Sequence, residues 1–155
     1  MSLEKVNLAA GFIEYQFNGR KYGPSTREFF VSAELPFSLK PKATLYYDFD
    51  AVKGFCATVG VDYNRPVRET VNLDFSFSVG YADSSYNSGY YYLDKNALND
   101  GTIGVSATIV MNESWSVAPY LQYSWFWDSE VADNAKDNYG DSEVLAVGAK
   151  LTYAF

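Results

Sequence analysis

The chain has 155 residues, enough for one hydrophobic core, and its 48% apolar content excludes a disordered polymer. Nineteen acidic residues against twelve basic ones give a net charge of −7, so there is no clustered basic surface for nucleic-acid phosphates. No apolar stretch approaches the ~20 residues of a membrane helix, although 14 Tyr, 11 Phe and 3 Trp make 18% of the chain aromatic.

Residues 1–5 read as a terminal segment, and "MSLEKVNL" lacks the charged-then-apolar order of an export signal. The first run, 6–17, places Val6, Leu8, Ala10 and Phe12 in one phase but Ile13, Tyr15 and Phe17 in the other; a bulge near Gly11 is expected to reconcile them. Run 28–37 sets Phe29, Val31, Ala33, Leu35 and Phe37 against Ser32 and Glu34, and run 43–50 sets Leu45, Tyr47 and Phe49 against Thr44, Asp48 and Asp50. In 55–64, Phe55, Val59, Val61 and Tyr63 oppose Thr58, Gly60, Asp62 and Asn64. The run 71–82 is the clearest, with Val71, Leu73, Phe75, Phe77, Val79 and Tyr81 on one face. Run 102–112 follows, and then 115–128, in which Pro119 predicts a local bulge because proline cannot donate to a ladder. The last run is 142–155. Eight runs of period 2 with no helical spacing predict an all-β, antiparallel, up-and-down sheet of eight strands forming a single domain over 1–155.

Alternation does not say which face is outside. The face opposite the apolar one is mostly Gly, Ala, Ser, Thr, Asn and Asp, side chains that suit a closed interior better than a water-facing surface. Eleven of the twelve Lys and Arg fall at run ends or in connections, leaving Lys150 within a run. Rings gather at two levels: Phe37, Tyr63, Trp115, Tyr153 and Phe155 at one rim, and Trp125 and Trp127 with Phe29, Tyr47, Phe49, Phe55 and Tyr81 at the other. The connections on the side of the termini, 38–42, 65–69 and 112–114, are short; three of the four opposite, 18–27, 83–101 and 129–141, are longer, with 51–54 the exception. These features predict a transmembrane β-barrel with its apolar face in lipid and Phe37, Tyr63, Trp115, Trp125, Trp127, Tyr153 and Phe155 as membrane anchors. The alternative is a soluble β-barrel that carries a small hydrophobic ligand inside.

The terminal pattern Leu145, Val147, Ala149, Leu151, Tyr153 and Phe155 resembles the last strand of bacterial outer-membrane β-barrels. The stretch "LYYDFDAVKGFCATVGVDYN" with "LDFSFSVGYAD" resembles, more weakly, a poorly characterised group of bacterial porins whose members are longer. The resemblance implies location in a bacterial outer membrane, the lipid bilayer as surroundings, and the outer-membrane assembly machinery as the reader of the carboxy-terminal Phe. It also leaves open whether further strands precede these.

The expected lumen charges are Glu14, Glu34, Asp48, Asp62, Asp74 and Lys150, with Lys150 pairing one or two of the carboxylates. Such a set serves either as a gate in a narrow, acidic, cation-preferring path or as a polar plug, since eight strands close around an interior that side chains fill. The segment "SSYNSGYYYLDKN" offers Tyr86, Tyr90, Tyr91 and Tyr92 for contact with a surface glycan or protein. No catalytic residue is assigned, because the chain contains no His to act as general base, and Asp48 and Asp50 read equally well as rim residues. No cofactor or metal is expected; Asp133, Asp137 and Asp141 read as a solvated loop. Cys56, the single cysteine, reads as a small interior residue.

Overall fold

A computed structural model describes residues 6–16 and 25–155; the segment 1–5, Phe17 and most of the 18–27 connection lie outside them. The described residues form eight strands: β1 (Asn7–Tyr15), β2 (Thr26–Glu34), β3 (Lys42–Asp48), β4 (Phe55–Arg68), β5 (Val71–Ala82), β6 (Ala97–Val110), β7 (Trp115–Phe126) and β8 (Glu143–Tyr153). Each pairs antiparallel with its neighbours in chain order, giving one up-and-down sheet that curls into a half-barrel. Among the described residues β1 pairs only with β2 and β8 only with β7, so the expected closure of the last strand onto the first is not formed.

Two helices, which the sequence reading did not anticipate, sit at the end opposite the termini. Helix α1 (Ser84–Tyr91) joins β5 to β6, and α2 (Ser129–Tyr139) joins β7 to β8. Asp83 caps α1 by accepting from the Tyr86 N–H at 2.8 Å, and Asp128 caps α2 by accepting from Glu130 and Val131. Gly140, at φ 100°, ends α2 in the left-handed conformation that glycine adopts without strain. Helix α1 lies so close to the sheet that a Cβ on Gly54 would overlap the backbone of Tyr86.

The two faces of the sheet separate as period 2 requires. Most of the large apolar residues are on the convex face and remain exposed, Leu8 at 79%, Val147 at 73% and Phe29 at 55%. On the concave face lie Thr26, Glu28, Asp48, Ala82, Ala97 and Asn99, buried near the helical end, and Thr44, buried further along β3 toward Lys42. Among the described residues the fully buried apolar side chains are only Ala82, Ala97, Val131 and Ala135. The packed core is therefore a small one, gathered under α1 and α2.

The bulge expected at Gly11 is not formed: β1 keeps one register against β2 from Asn7–Glu34 to Tyr15–Thr26. Gly11 instead points inward beneath the ring of its partner Phe30, whose nearest atom would be 2.5 Å from an added Cβ. Ile13 and Tyr15 then follow it onto the concave face, which is why their phase differs from that of Phe12. The same device recurs where Tyr120 covers its partner Gly148. Pro119 also produces no bulge; Ser106–Tyr120 and Ile109–Val117 keep one register across it, and the missing N–H merely interrupts pairing with β6. The expected connection 65–69 shortens to Glu69–Thr70 because β4 continues to Arg68, with an irregularity at Pro66. A second irregularity between Val79 and Tyr81 lets β6 begin at Ala97, earlier than its alternation indicates.

Candidate functional site

The carboxylates expected to share a lumen fall into separate places. Glu34, Asp62 and Asp74 do converge, on a concave recess of about 460 Å³ near the end that holds the termini, together with Lys40, Ser106 and Gln122. Asp74 is held there by Asn64 Nδ2 at 2.6 Å and Thr108 Oγ1 at 3.3 Å, and Glu34 accepts from Asn7 Nδ2 at 3.4 Å. The 35–41 turn folds up against this wall, since the Asp62 N–H donates to the Leu39 carbonyl at 2.9 Å. The recess is open, and its charged lining is three carboxylates against one lysine.

Asp48 lies at the other end and does a different job. Its carboxylate accepts from Thr26 Oγ1 at 2.7 Å, from the Asp50 and Val52 N–H groups at 3.0 and 3.2 Å, and from Tyr90 Oη at 3.2 Å. Four donors hold a fully buried carboxylate that ties the 49–54 turn and α1 to β2 and β3. Glu28, buried and directly opposite Asp48 in the ladder, belongs to the same region and was missed, although it shares the phase of Glu34. Asp100 was missed for another reason: the irregularity in β5–β6 turns it over Gly80, where a Cβ would overlap its carboxylate.

Glu14 is corrected to the convex face. It sits opposite Arg27 on the side that carries Phe12 and Phe29, and the two ionised groups approach to 3.5 Å while half exposed. Lys150 does face inward on β8, opposite Ala118, but it is exposed and makes no ion pair among the described residues. The cation that does bridge acids is Lys95, 2.8 Å from Asp128 and 2.7 Å from Glu130. It clasps the 83–96 connection to the start of α2. The hydrogen bonds to Asp128 and then Glu130 hold the Lys95 ammonium above its ordinary pKa, and the same Lys95 bond holds Asp128 below the usual carboxylate range.

Three of the four tyrosines expected to meet external ligands turn inward. Tyr86 and Tyr90 pack ring to ring at 4.6 Å, Tyr90 donates to Asp48, and Tyr91 meets Phe126 edge-on at 5.2 Å. Tyr139 of α2 donates its hydroxyl to the Tyr90 carbonyl, joining the helices. Burial, foremost, raises the phenol pKa of Tyr86, Tyr90 and Tyr91, with nearby Asp48 adding to the effect at Tyr90 and Asp100 at Tyr91. Only Tyr92, 67% exposed in the left-handed C-cap of α1, offers its ring to solvent. Asp133 and Asp137 are on α2 rather than in a loop, and Asp141 follows its cap. Among the described residues no group of three or more His, Cys, Asp or Glu is placed to hold a metal ion.

Of the residues expected to anchor in a membrane, Phe37, Tyr63, Trp115, Trp127, Tyr153 and Phe155 are all exposed, and Trp125 is half-buried. They fall at two levels. Trp115 and Tyr153 pair at 4.8 Å and Tyr63 and Phe75 at 6.4 Å toward the end of the termini; Trp125 and Trp127 at 5.2 Å, Tyr47 and Phe55 at 4.5 Å, and Phe29 and Phe49 at 4.7 Å gather toward the helical end. No protein-family model and no curated protein matches the chain.

Proposed function

We propose that this chain is the wall of a bacterial outer-membrane β-barrel, its convex face in lipid and its concave face lining an aqueous, cation-preferring lumen. The observation that carries the reading is the inverted distribution of apolar surface. Large aliphatic and aromatic side chains across all eight strands are exposed, while among the described residues the buried apolar set is two alanines of the sheet and Val131 and Ala135 of α2. Contiguous apolar surface on this scale marks a membrane or a partner rather than water. Rings at two levels fit the two interfaces of a bilayer. The acidic recess of Glu34, Asp62 and Asp74 gives the lumen its charge, and α1 and α2 narrow the opposite mouth. A soluble carrier of a hydrophobic ligand needs an apolar interior, whereas the concave face here is mostly polar and its rings at Phe30 and Tyr120 are laid over glycines of neighbouring strands.

Tryptophan fluorescence tests the reading, because Trp115, Trp125 and Trp127 all lie on the convex face near the rims. In vesicles with bromine placed shallow on the acyl chains, emission is expected to fall strongly, and less when the bromine lies at mid-bilayer. A chain that stays monodisperse in buffer without detergent and shows no bromine quenching overturns it.

A further inference from the structure

Among the described residues the sheet has two edges without a neighbouring strand, an arrangement that lipid would not tolerate. Among the described residues the outer backbone groups of β1 and β8 have no strand beside them, and a bilayer supplies no water in their place. We propose that two copies of the chain close one sixteen-stranded barrel, β8 of each pairing with β1 of the other about a two-fold axis, twice the eight strands of one copy. The inference rests on the membrane reading above.

Four observations carry it. Direction agrees: β1 runs from the end of the termini toward the helices and β8 runs back, so the two edges meet antiparallel, as every other neighbour does. Curvature agrees, since each copy supplies half a barrel and two halves complete the ring. Facing agrees too. Outward residues are Leu8, Ala10 and Phe12 on β1 and Leu145, Val147, Ala149, Leu151 and Tyr153 on β8, so a register with Tyr153 opposite Leu8 puts Ala149 opposite Phe12 outside and Lys150 opposite Gly11 inside. Finally, the concave face is built as a wall: Phe30 and Tyr120 lie over the glycines of adjacent strands instead of reaching across, which fits a wide lumen and not the filled interior of eight strands. A second copy presents edges of matching height and curvature by symmetry, and both seams are then identical.

Disulfide trapping tests the seam. In a Cys56→Ala background, Ala149→Cys is combined in one chain with Leu8→Cys, Ala10→Cys or Phe12→Cys, the proteins are folded into vesicles, and bromine quenching verifies insertion. Oxidation is expected to give, in at least one register, a reductant-sensitive species of about twice 17.4 kDa, absent from the chain carrying Ala149→Cys alone. A cross-link found only within the monomer means that the chain closes on itself, and no cross-link in any register of an inserted chain means that other strands cover the edges; either result overturns the proposal while leaving the membrane reading intact. Absence of quenching in every variant overturns both.

Discussion

Asp48 illustrates how little a carboxylate's charge says about its role. Alternation places it on the polar face with Asp62 and Asp74, but its four hydrogen bonds make it the knot of the helical end rather than a charge for a passing ion. Asp48→Ala would leave Thr26, Tyr90 and two backbone N–H groups without their acceptor, at an expected cost of about 2–5 kcal/mol, read as a lower urea midpoint of the chain in micelles. Tyr90, bonded to Asp48, gives a second test at this scale. Its phenol pKa is raised in the fold chiefly by burial, so the unfolded chain ionises first, near pH ~10; the stabilisation is complete below that pH and is lost as the pH climbs through the raised value. Absorbance at 295 nm in alkaline titration is therefore expected to show Tyr86, Tyr90 and Tyr91 ionising above the ordinary phenol range, together with opening of the cap. Ionisation of all three below pH ~10.5 would contradict their burial.

At the scale of elements, α1 and α2 are two short helices that hold each other and the sheet. Helix α1 was hidden in sequence because "SSYNSGYY" has neither strong helix formers nor an apolar stripe; its close approach to Gly54 does the positioning. Gly54→Ala is expected to displace α1 at a cost of about 1–3 kcal/mol, seen as faster amide exchange over 84–91. Helix α2 left better signs: an acidic cap at Asp128, Val131 and Ala135 four apart, and Gly140 at its end. The Lys95 clasp fixes its start and is pH-dependent at both extremes. Asp128, lowered in the fold, contributes above its unfolded pKa of ~3.9 and loses that contribution as the pH falls through the folded value; Lys95, raised in the fold, contributes below ~10.4 and loses it as the pH rises through the folded value. Lys95→Met should therefore raise exchange in α2 at neutral pH and flatten its acid dependence, as measured by hydrogen exchange between pH 3 and 8.

The whole molecule is organised by one curled sheet, and curl is what joins Glu34 of β2 to Asp74 of β5 and Gln122 of β7 around one recess. Replacing Asp62 and Asp74 by Asn is expected to reduce the preference for cations over anions several-fold in a planar bilayer, whereas Lys150→Met, which breaks no ion pair among the described residues, should leave stability within about 0.5 kcal/mol. Equal selectivity in the wild-type chain and in the double variant would remove the recess from any conducting path.

The eight strands and the apolar identity of one face were readable in the sequence, because successive side chains in a strand point to opposite sides and the period survives whatever the strand packs against. Where the reading failed, a partner residue had decided the matter. Phe30 covers Gly11 and removes the need for a bulge; Arg27 opposite Glu14 sits with Phe29 and Phe12, so Glu14 is outside; and Lys150, expected to pair one or two of the carboxylates, lies opposite Ala118 and makes no ion pair among the described residues. The sequence by itself determined an all-β chain with one apolar and one polar face. Only the tertiary structure decided which carboxylates meet, that two helices cap one end, and that the sheet stops at half a turn, because register and curl bring together residues whose separation along the chain carries no local signal.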